Sequence, residues 1–210
     1  MKQISSRRRR IDVILLVVVL LVAELTVKNA VAISDWWHSV VYRPPAAVVQ
    51  LANDAGMNSE GKKLFYRFSP QIVDANTLRD KCGTDKLGCT SGRSIYVLQA
   101  HNKLEYASNV VTAAHEMLHV AYSRLTSSQK QALTAETDKA LAESTDPVVR
   151  SIREQLSTYS AEDYYNEAHS YIGSELGDAG PELNTYYMRY FSDRSKTTDQ
   201  YLLSTGSAGD

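Results

Sequence analysis

The hydrophobic residues form one unbroken run near the N-terminus, and further along the chain hydrophobic and polar positions alternate in a largely helical pattern. The run covers residues 13–23 and follows four consecutive arginines at positions 7–10. Residues 94–99 are rich in β-branched and aromatic residues, which is typical of a short strand. From residue 109 onward, apolar positions recur at helical spacing. The pattern predicts an α+β domain with a small N-terminal sheet followed by a helical majority.

Capping residues and chain breakers set the ends of the predicted elements. Asn109 can cap a helix over residues 110–125, Pro147 can occupy a first helical position, and Ser160 can cap a helix reaching residue 172. The glycine-containing stretch at residues 74–90 is predicted to be a loop. The remaining predicted helices cover residues 46–55, 59–65, 127–143 and 181–203.

The N-terminal pattern of basic residues before an apolar run predicts that the following chain leaves the cytoplasm. The run holds 11 residues, fewer than the roughly 20 needed for a membrane span. If residues 11–33 form one helix, Glu24 and Lys28 can snorkel to the outer interface, and the helix is a single-pass anchor. Alternatively, residues 30–32 (Ala-Val-Ala) offer a signal-peptide cleavage site, and the protein is secreted. We expect a cell-membrane protein with an N-terminal segment at residues 1–33 and an extracytoplasmic domain at residues 34–210.

Composition and charge exclude several classes of protein. The chain is 43% hydrophobic and 22% charged, which is ordinary for a globular protein and excludes a disordered or collagen-like one. The net charge of -1 combines a basic N-terminus with an acidic remainder. Because that remainder has no basic stripe, the composition argues against nucleic acid as a partner.

Two cysteines, Cys82 and Cys89, lie close together in the predicted loop. In an exported chain, such a pair most simply forms a disulfide that closes a short loop. The alternative is half of a metal site, but His101 is the only nearby candidate ligand. We therefore predict a structural disulfide.

The candidate chemistry lies in an HExxH motif formed by His115, Glu116 and His119. On a helix, residues four apart share one face, so both imidazoles can bind one Zn²⁺ at about 2.0–2.1 Å. Glu116 is rotated away from direct ligation and can take the proton of a water that zinc makes acidic. The motif therefore predicts a zinc metallopeptidase with a peptide or protein substrate. The alternative is two surface histidines on an amphipathic helix, but the apolar flanks of the motif favour a buried site.

A second patch, Asn166-Glu167-Ala168-His169-Ser170, lies downstream of the motif. With HExxH, it resembles the gluzincin group of zinc metallopeptidases, in which a glutamate on a later helix completes the metal site. The resemblance implies a zincin-like fold and Glu167 as the third zinc ligand. Thermolysin-like enzymes place an acidic residue four positions after that ligand, where this chain has Tyr171.

The neighbouring His169 leaves three interpretations open. Because it lies two positions from Glu167, it points to a different side of the helix, and the two cannot easily bind one ion together. His169 can be the third ligand in place of Glu167, a catalytic donor to the developing oxyanion, or a structural histidine between helices. Glu162 and Glu175 are minor candidates for the third ligand.

The strand predicted at residues 94–99 precedes the HExxH helix, where zincins commonly bind the substrate backbone by edge pairing. Three other functions remain as alternatives to a peptidase. The first is a non-catalytic, zinc-stabilised binding or scaffold domain. The second is a hydrolase of non-peptide amides, such as a cell-wall cross-link, and the third is a helical membrane-anchored adaptor without metal.

Overall fold

The computed structural model describes residues 41–206 together with Val19 and Glu24, apart from the side chains of Ala161 and Glu162. The chain divides into two units, Met1–Tyr42 and Arg43–Asp210, and the second contains every element below. Its elements in chain order are α1 (Ala46–Asp54), α2 (Ser59–Arg67), β1 (Gln71–Val73), α3 (Ala75–Cys82), β2 (Gly88–Ser91), β3 (Ser94–Leu98), α4 (Lys103–Ser123), α5 (Ser127–Glu143), α6 (Val148–Leu156), α7 (Ala161–Glu175), α8 (Pro181–Tyr187) and α9 (Ser195–Ser204).

The fold is α+β with a small three-stranded sheet and a helical majority, which confirms the coarse prediction. The strands lie in the order β1-β3-β2, with β1 parallel and β2 antiparallel to β3. β3 is therefore the central strand, and both of its edges are hydrogen-bonded. The suggested pairing of residues 94–99 with a substrate backbone is therefore wrong, because β2 occupies the outer position, and these residues form an ordinary strand of the sheet.

Helix α4 lies at the centre of the core and packs most extensively against α7 and α9. Small residues on α4 and α7 permit this close approach. A Cβ atom at Gly173 of α7 would lie only 2.5 Å from Leu118 Cδ1 of α4 and 2.6 Å from Tyr187 Cε1. On the sheet side, a Cβ at Gly88 of β2 would lie 2.5 Å from Thr112 Cγ2 of α4. Glycine at these two positions lets β2 and α7 approach α4 closely.

Helix α4 begins earlier than predicted, at Lys103 rather than after Asn109. Asn102 is the N-cap, and its side chain accepts hydrogen bonds from the backbone amides of Leu104 and Glu105. Asn109 lies inside the helix, where its side chain donates to the carbonyl of Leu98 at 2.6 Å. That bond ties α4 to the end of β3.

Two other predicted boundaries are also wrong. The predicted loop at residues 74–90 contains α3, which is capped by the carboxylate of Asp74 and is followed by Gly83 as its C-cap, with a φ of 88°. The single helix predicted after Pro181 is divided into α8 and α9. Between them, the backbone amides of Ser192 and Asp193 bond to the carbonyl of Gly56, which turns the chain against α1.

The disulfide between Cys82 and Cys89 is confirmed, and it joins the end of α3 to β2. The prediction of a cell-membrane protein with a single-pass anchor is wrong. Within the described residues, no helix has both the length and the apolar character required to cross a membrane. Of the apolar run at residues 13–23, only Val19 is described, and the predicted cleavage site at residues 30–32 lies outside the described residues.

Candidate metal centre

The two histidines of the HExxH motif lie on the face of α4 that borders a pocket. Their Nε2 atoms are 3.0 Å apart, and the two rings meet edge to face. The side chains retain 13% and 14% exposure, so they are largely shielded but can be reached from the pocket. His115, Glu116 and His119 form a group that could hold a metal ion, with ligand atoms all within 4.8 Å of one another.

Helix α7 brings Glu167 to the same point. Its carboxylate oxygens lie 3.4 Å from His115 Nε2 and 3.6 Å from His119 Nε2. Glu167 Oε2 is buried and makes no hydrogen bond of good geometry, and its contact at 3.4 Å is with the nitrogen of His115 that would bind the metal. A buried carboxylate oxygen without a partner is unfavourable unless a cation satisfies it. The packing of α7 against α4 therefore places three potential ligand atoms around one position.

Glu116 is held beside the histidines by the sheet. It is 6% exposed, and its Oε2 accepts a hydrogen bond of 2.7 Å from Thr90 Oγ1 in β2. Because the close approach at Gly88 sets the position of β2 against α4, Thr90 reaches the carboxylate directly. The contact orients Glu116 next to the two Nε2 atoms.

The second ring nitrogen of His119 faces α7. His119 Nδ1 lies 3.1 Å from Asn166 Oδ1 and 3.2 Å from Ser170 Oγ. The Ser170 hydroxyl also donates to the carbonyl of Asn166 at 3.0 Å. If Nδ1 carries the proton and donates it to Asn166, Nε2 keeps its lone pair for a metal. Hydrogen bonding of the second nitrogen is how proteins orient metal-binding histidines.

The charged groups of the site shift one another's titration. Burial alone would lower the pKa of His115, but the carboxylates of Glu167, Glu116 and Glu175 together raise it. Burial and the adjacent His115 lower the pKa of His119. Burial opposes ionisation of Glu167, yet the two histidines lower its pKa below the usual value. The site therefore favours an ionised carboxylate beside at least one neutral imidazole.

The histidines and both glutamates of the site line a pocket of about 760 Å³. Residues 85–90 and α4 contribute to its lining. The remaining lining residues come from α6, α7 and α9 and from the segments that follow α6 and α9, and they include Gln155, Tyr159, Asn166, Glu167, Tyr171, Glu175, Tyr201, Ser204 and Thr205. The Tyr171 ring packs against His115, with ring centres 4.6 Å apart. A pocket of this size can admit an extended ligand.

The structure does not bring His169 to this pocket. Its side chain is fully buried, and its Nε2 lies 3.1 Å from the hydroxyl of Tyr186. The rings of Tyr122, Tyr186 and Tyr187 surround it at centre distances of 5.3–5.5 Å. Burial lowers its pKa to about 3, so it is neutral. Neither role predicted for His169 at the metal centre agrees with this placement, which instead matches a structural histidine.

Two further residues at the site, Thr90 and Tyr171, were not assigned a role from the sequence, whereas Glu175 was a minor candidate ligand. No local sequence pattern marks Thr90, because its contact with Glu116 depends on the position of β2. Tyr171 and Glu175 follow Glu167 at intervals of four residues on α7, and this spacing predicts one shared face. The side chain of Glu162, a minor candidate ligand, lies outside the described part of the chain.

Comparison with known proteins gave no match to a family model, a curated protein or a solved structure.

Proposed function

We propose that this protein is a zinc-dependent peptidase with a zincin-like active site. The observation that carries the proposal is the convergence of His115, His119 and Glu167, with Glu116 held beside them. The two Nε2 atoms and the nearest carboxylate oxygens are separated by 3.0–3.6 Å. In a tetrahedral zinc site with bonds of about 2.0–2.1 Å, ligand atoms are roughly 3.3 Å apart. The spacing therefore fits zinc.

The set of donor atoms also supports zinc as the metal. Two imidazoles and one carboxylate form a common ligand set of catalytic zinc, which leaves a fourth position for water or substrate. The orphaned Oε2 of Glu167 would gain a partner in such a site. An open pocket adjoins the ligands, whereas structural zinc sites are closed by four protein ligands. This difference favours the peptidase over the zinc-stabilised scaffold.

Zinc held there would act as a Lewis acid on the scissile carbonyl and would make a nearby water acidic. Glu116 would accept a proton from that water as the water oxygen adds to the carbonyl carbon. When the carbon–nitrogen bond breaks, Glu116 returns the proton to the leaving amine. Thr90 keeps the Glu116 carboxylate oriented through both proton transfers.

A peptide substrate can be bound through its backbone by β2. Gly88, Cys89 and Thr90 line the pocket, and β2 is the outer strand of the sheet. The free edge of an outer strand can pair with an extended peptide, which adds one more strand to the sheet. The disulfide at Cys89 would stabilise this edge, and it favours an oxidising compartment for the protein.

The proposal is tested by measuring metal content and peptide hydrolysis in the same preparations. We expect one zinc per chain by elemental analysis, and cleavage of peptides from a fluorogenic library. Glu116→Gln should retain zinc and lose activity by about 100-fold or more, because general base catalysis supplies roughly 10²–10⁴-fold. Glu143→Gln, an exposed glutamate at the end of α5, is the matched control and should retain both.

The remaining outcomes separate the alternatives. Zinc binding without turnover of any peptide would support the scaffold, and turnover only of non-peptide amides would support the second hydrolase class. If the purified protein binds no transition metal, the proposal is wrong. Full activity of Glu116→Gln would show that another group is the base.

A further inference from the structure

The pocket carries a carboxyl group that the proposed chemistry does not use. Glu175 is the last residue of α7 and lies two helical turns beyond Glu167 on the same face. It lines the pocket together with Gln155 of α6 and Tyr201 of α9. Three helices thus contribute side chains around this carboxyl.

The Glu175 carboxyl is buried, yet it is not fully satisfied. The residue is 7% exposed, and its Oε2 has no hydrogen-bond partner. Tyr201 and Gln155 hydrogen-bond to the carboxyl and favour its ionised form. Burial outweighs them and raises the pKa of Glu175 to about 7. An orphaned oxygen that borders a pocket is available to a ligand.

Lys86 is the one lysine or arginine among the described residues that line the pocket, and its charge acts on Glu167. A buried carboxylate is costly without a cationic partner, and a partner supplied by the substrate removes that cost. A ligand that pairs with Glu175 should therefore carry a positive charge.

Tyrosine side chains line the same pocket. Tyr201 hydrogen-bonds to the Glu175 carboxyl, and the hydroxyls of the other two lining tyrosines, Tyr159 and Tyr171, are 3.5 Å apart. Tyrosine rings attract cations through their faces and also pack against the methylene stem of a long basic side chain. A carboxylate among tyrosine rings is a chemical environment suited to an ammonium or guanidinium group.

We propose that Glu175, with Tyr159, Tyr171 and Tyr201, forms a subsite that binds a positively charged group of the substrate. This inference rests on the proposed peptidase function and names its substrate class, which is peptides that carry a cation close to the scissile bond. The cation can belong to a lysine or arginine side chain or to the α-ammonium group of the peptide. Both have the same chemistry, and the experiment distinguishes them.

The first test measures specificity. One cleavable peptide is prepared with lysine, arginine, norleucine or glutamate at each position beside the scissile bond, with a free or an acetylated N-terminus. We expect kcat/KM for the preferred cationic peptide to exceed that of its uncharged analogue by on the order of 10–100-fold, the size of a hydrogen bond to a charged group. A side-chain source predicts a dependence on lysine or arginine, whereas an α-ammonium source predicts that acetylation abolishes cleavage.

The substitution Glu175→Gln tests the assignment within the same series. In the zinc-loaded variant, the ratio of kcat/KM for the cationic peptide to kcat/KM for the uncharged peptide should fall to about onefold. Glu154→Gln, an exposed glutamate on the neighbouring α6, is the matched control and should keep the preference. If wild type shows no preference for cationic peptides, or if Glu175→Gln retains it, the subsite assignment is wrong even though the peptidase function stands.

A binding measurement keeps the subsite testable without turnover. Nα-acetyl-lysine amide, Nα-acetyl-norleucine amide and glycine amide are titrated into the zinc-loaded protein and followed by NMR at pH 8. We expect a cationic probe to bind at least about tenfold more tightly than norleucine amide, and Glu175→Gln to remove the difference. Equal binding of the three probes would overturn the subsite whether or not the protein hydrolyses peptides.

Discussion

The two sides of helix α7 bury ionisable groups in opposite settings. On one side, Glu167 and Glu175 face an open pocket, and each has an oxygen without a partner. On the other side, His169 lies in a closed cluster of tyrosines, and its Nδ1 also has no partner. Burial and an orphaned atom are thus common to both sides. Access to the pocket is what separates the candidate functional groups from the structural one.

Burial shifts the pKa of an ionisable group on both sides of α7, but the consequences of the two shifts differ. Burial lowers the pKa of His169 to about 3 and raises the pKa of Glu175 to about 7, so each shift favours the neutral form. A cation that enters the pocket can restore the charge of Glu175. His169 is fully buried among aromatic rings and does not line the pocket, so a ligand bound there does not reach it.

If the two sides of α7 differ as described, removal of the Glu167 side chain should weaken metal binding more than any other change on that helix. We expect Glu167→Ala to lower zinc affinity by more than the roughly 10–100-fold lost with an outer hydrogen-bond partner of a ligand. Peptide hydrolysis should fall with it. Competition with a fluorescent chelator measures the affinity. Zinc binding equal to that of wild type would remove Glu167 from the site and leave the two histidines without their proposed partner.

The reciprocal substitution tests the tyrosine side of α7. His169→Ala should lower the free energy of unfolding by about 3 kcal/mol or more, because it removes a buried ring from a packed aromatic cluster. Zinc stoichiometry in the folded protein should stay at the wild-type value. Denaturant unfolding and elemental analysis provide the two measurements. Loss of zinc with unchanged stability would reverse the roles assigned to His169 and Glu167.

The sequence predicted the parts of the site that depend on local geometry. The HExxH spacing predicts that His115 and His119 share a face of α4, and the two-residue offset predicts that His169 and Glu167 point to different sides of α7. Glu167 required the resemblance to gluzincins, because its approach to α4 depends on the packing of two helices distant in the chain. Geometry places it within 3.6 Å of both histidines.

The features that the sequence did not predict depend on tertiary packing. Thr90 meets Glu116 across 26 residues of chain, and no local pattern encodes that contact. The central position of β3 follows from pairing with β1 and β2, strands too short to give a periodic signal. Helix α3 was predictable in part, because Asp74 is a suitable N-cap and Gly83 a suitable C-terminal residue. The glycines and cysteines of that stretch instead favoured a loop.

The stability of the pocket side should depend on pH through Glu175. Its pKa is about 7 in the folded protein and 4.5 in the reference state. Between those values the unfolded chain loses this proton first, so the contribution of Glu175 to the unfolding free energy of the metal-free protein falls as pH rises and levels off above pH 7. Glu175→Gln should match wild type near pH 4 and exceed its stability by up to about 3 kcal/mol at pH 8. Equal stability at both pH values would contradict the burial of an unpartnered carboxyl.

The smallest expected effect comes from the hydrogen bond that links the sheet to the pocket. Thr90→Val keeps the shape of the side chain and removes the hydroxyl that donates to Glu116. We expect kcat to fall by about tenfold, the value of a typical hydrogen bond, with zinc affinity unchanged because neither histidine is touched. Thr112→Val, at another threonine that lines the same pocket, is the control. Equal activity of the two variants would show that Glu116 needs no orientation from β2. A loss of zinc in Thr90→Val would instead show that β2 supports the metal ligands, so that the pocket side of α7 is not sufficient to complete the site.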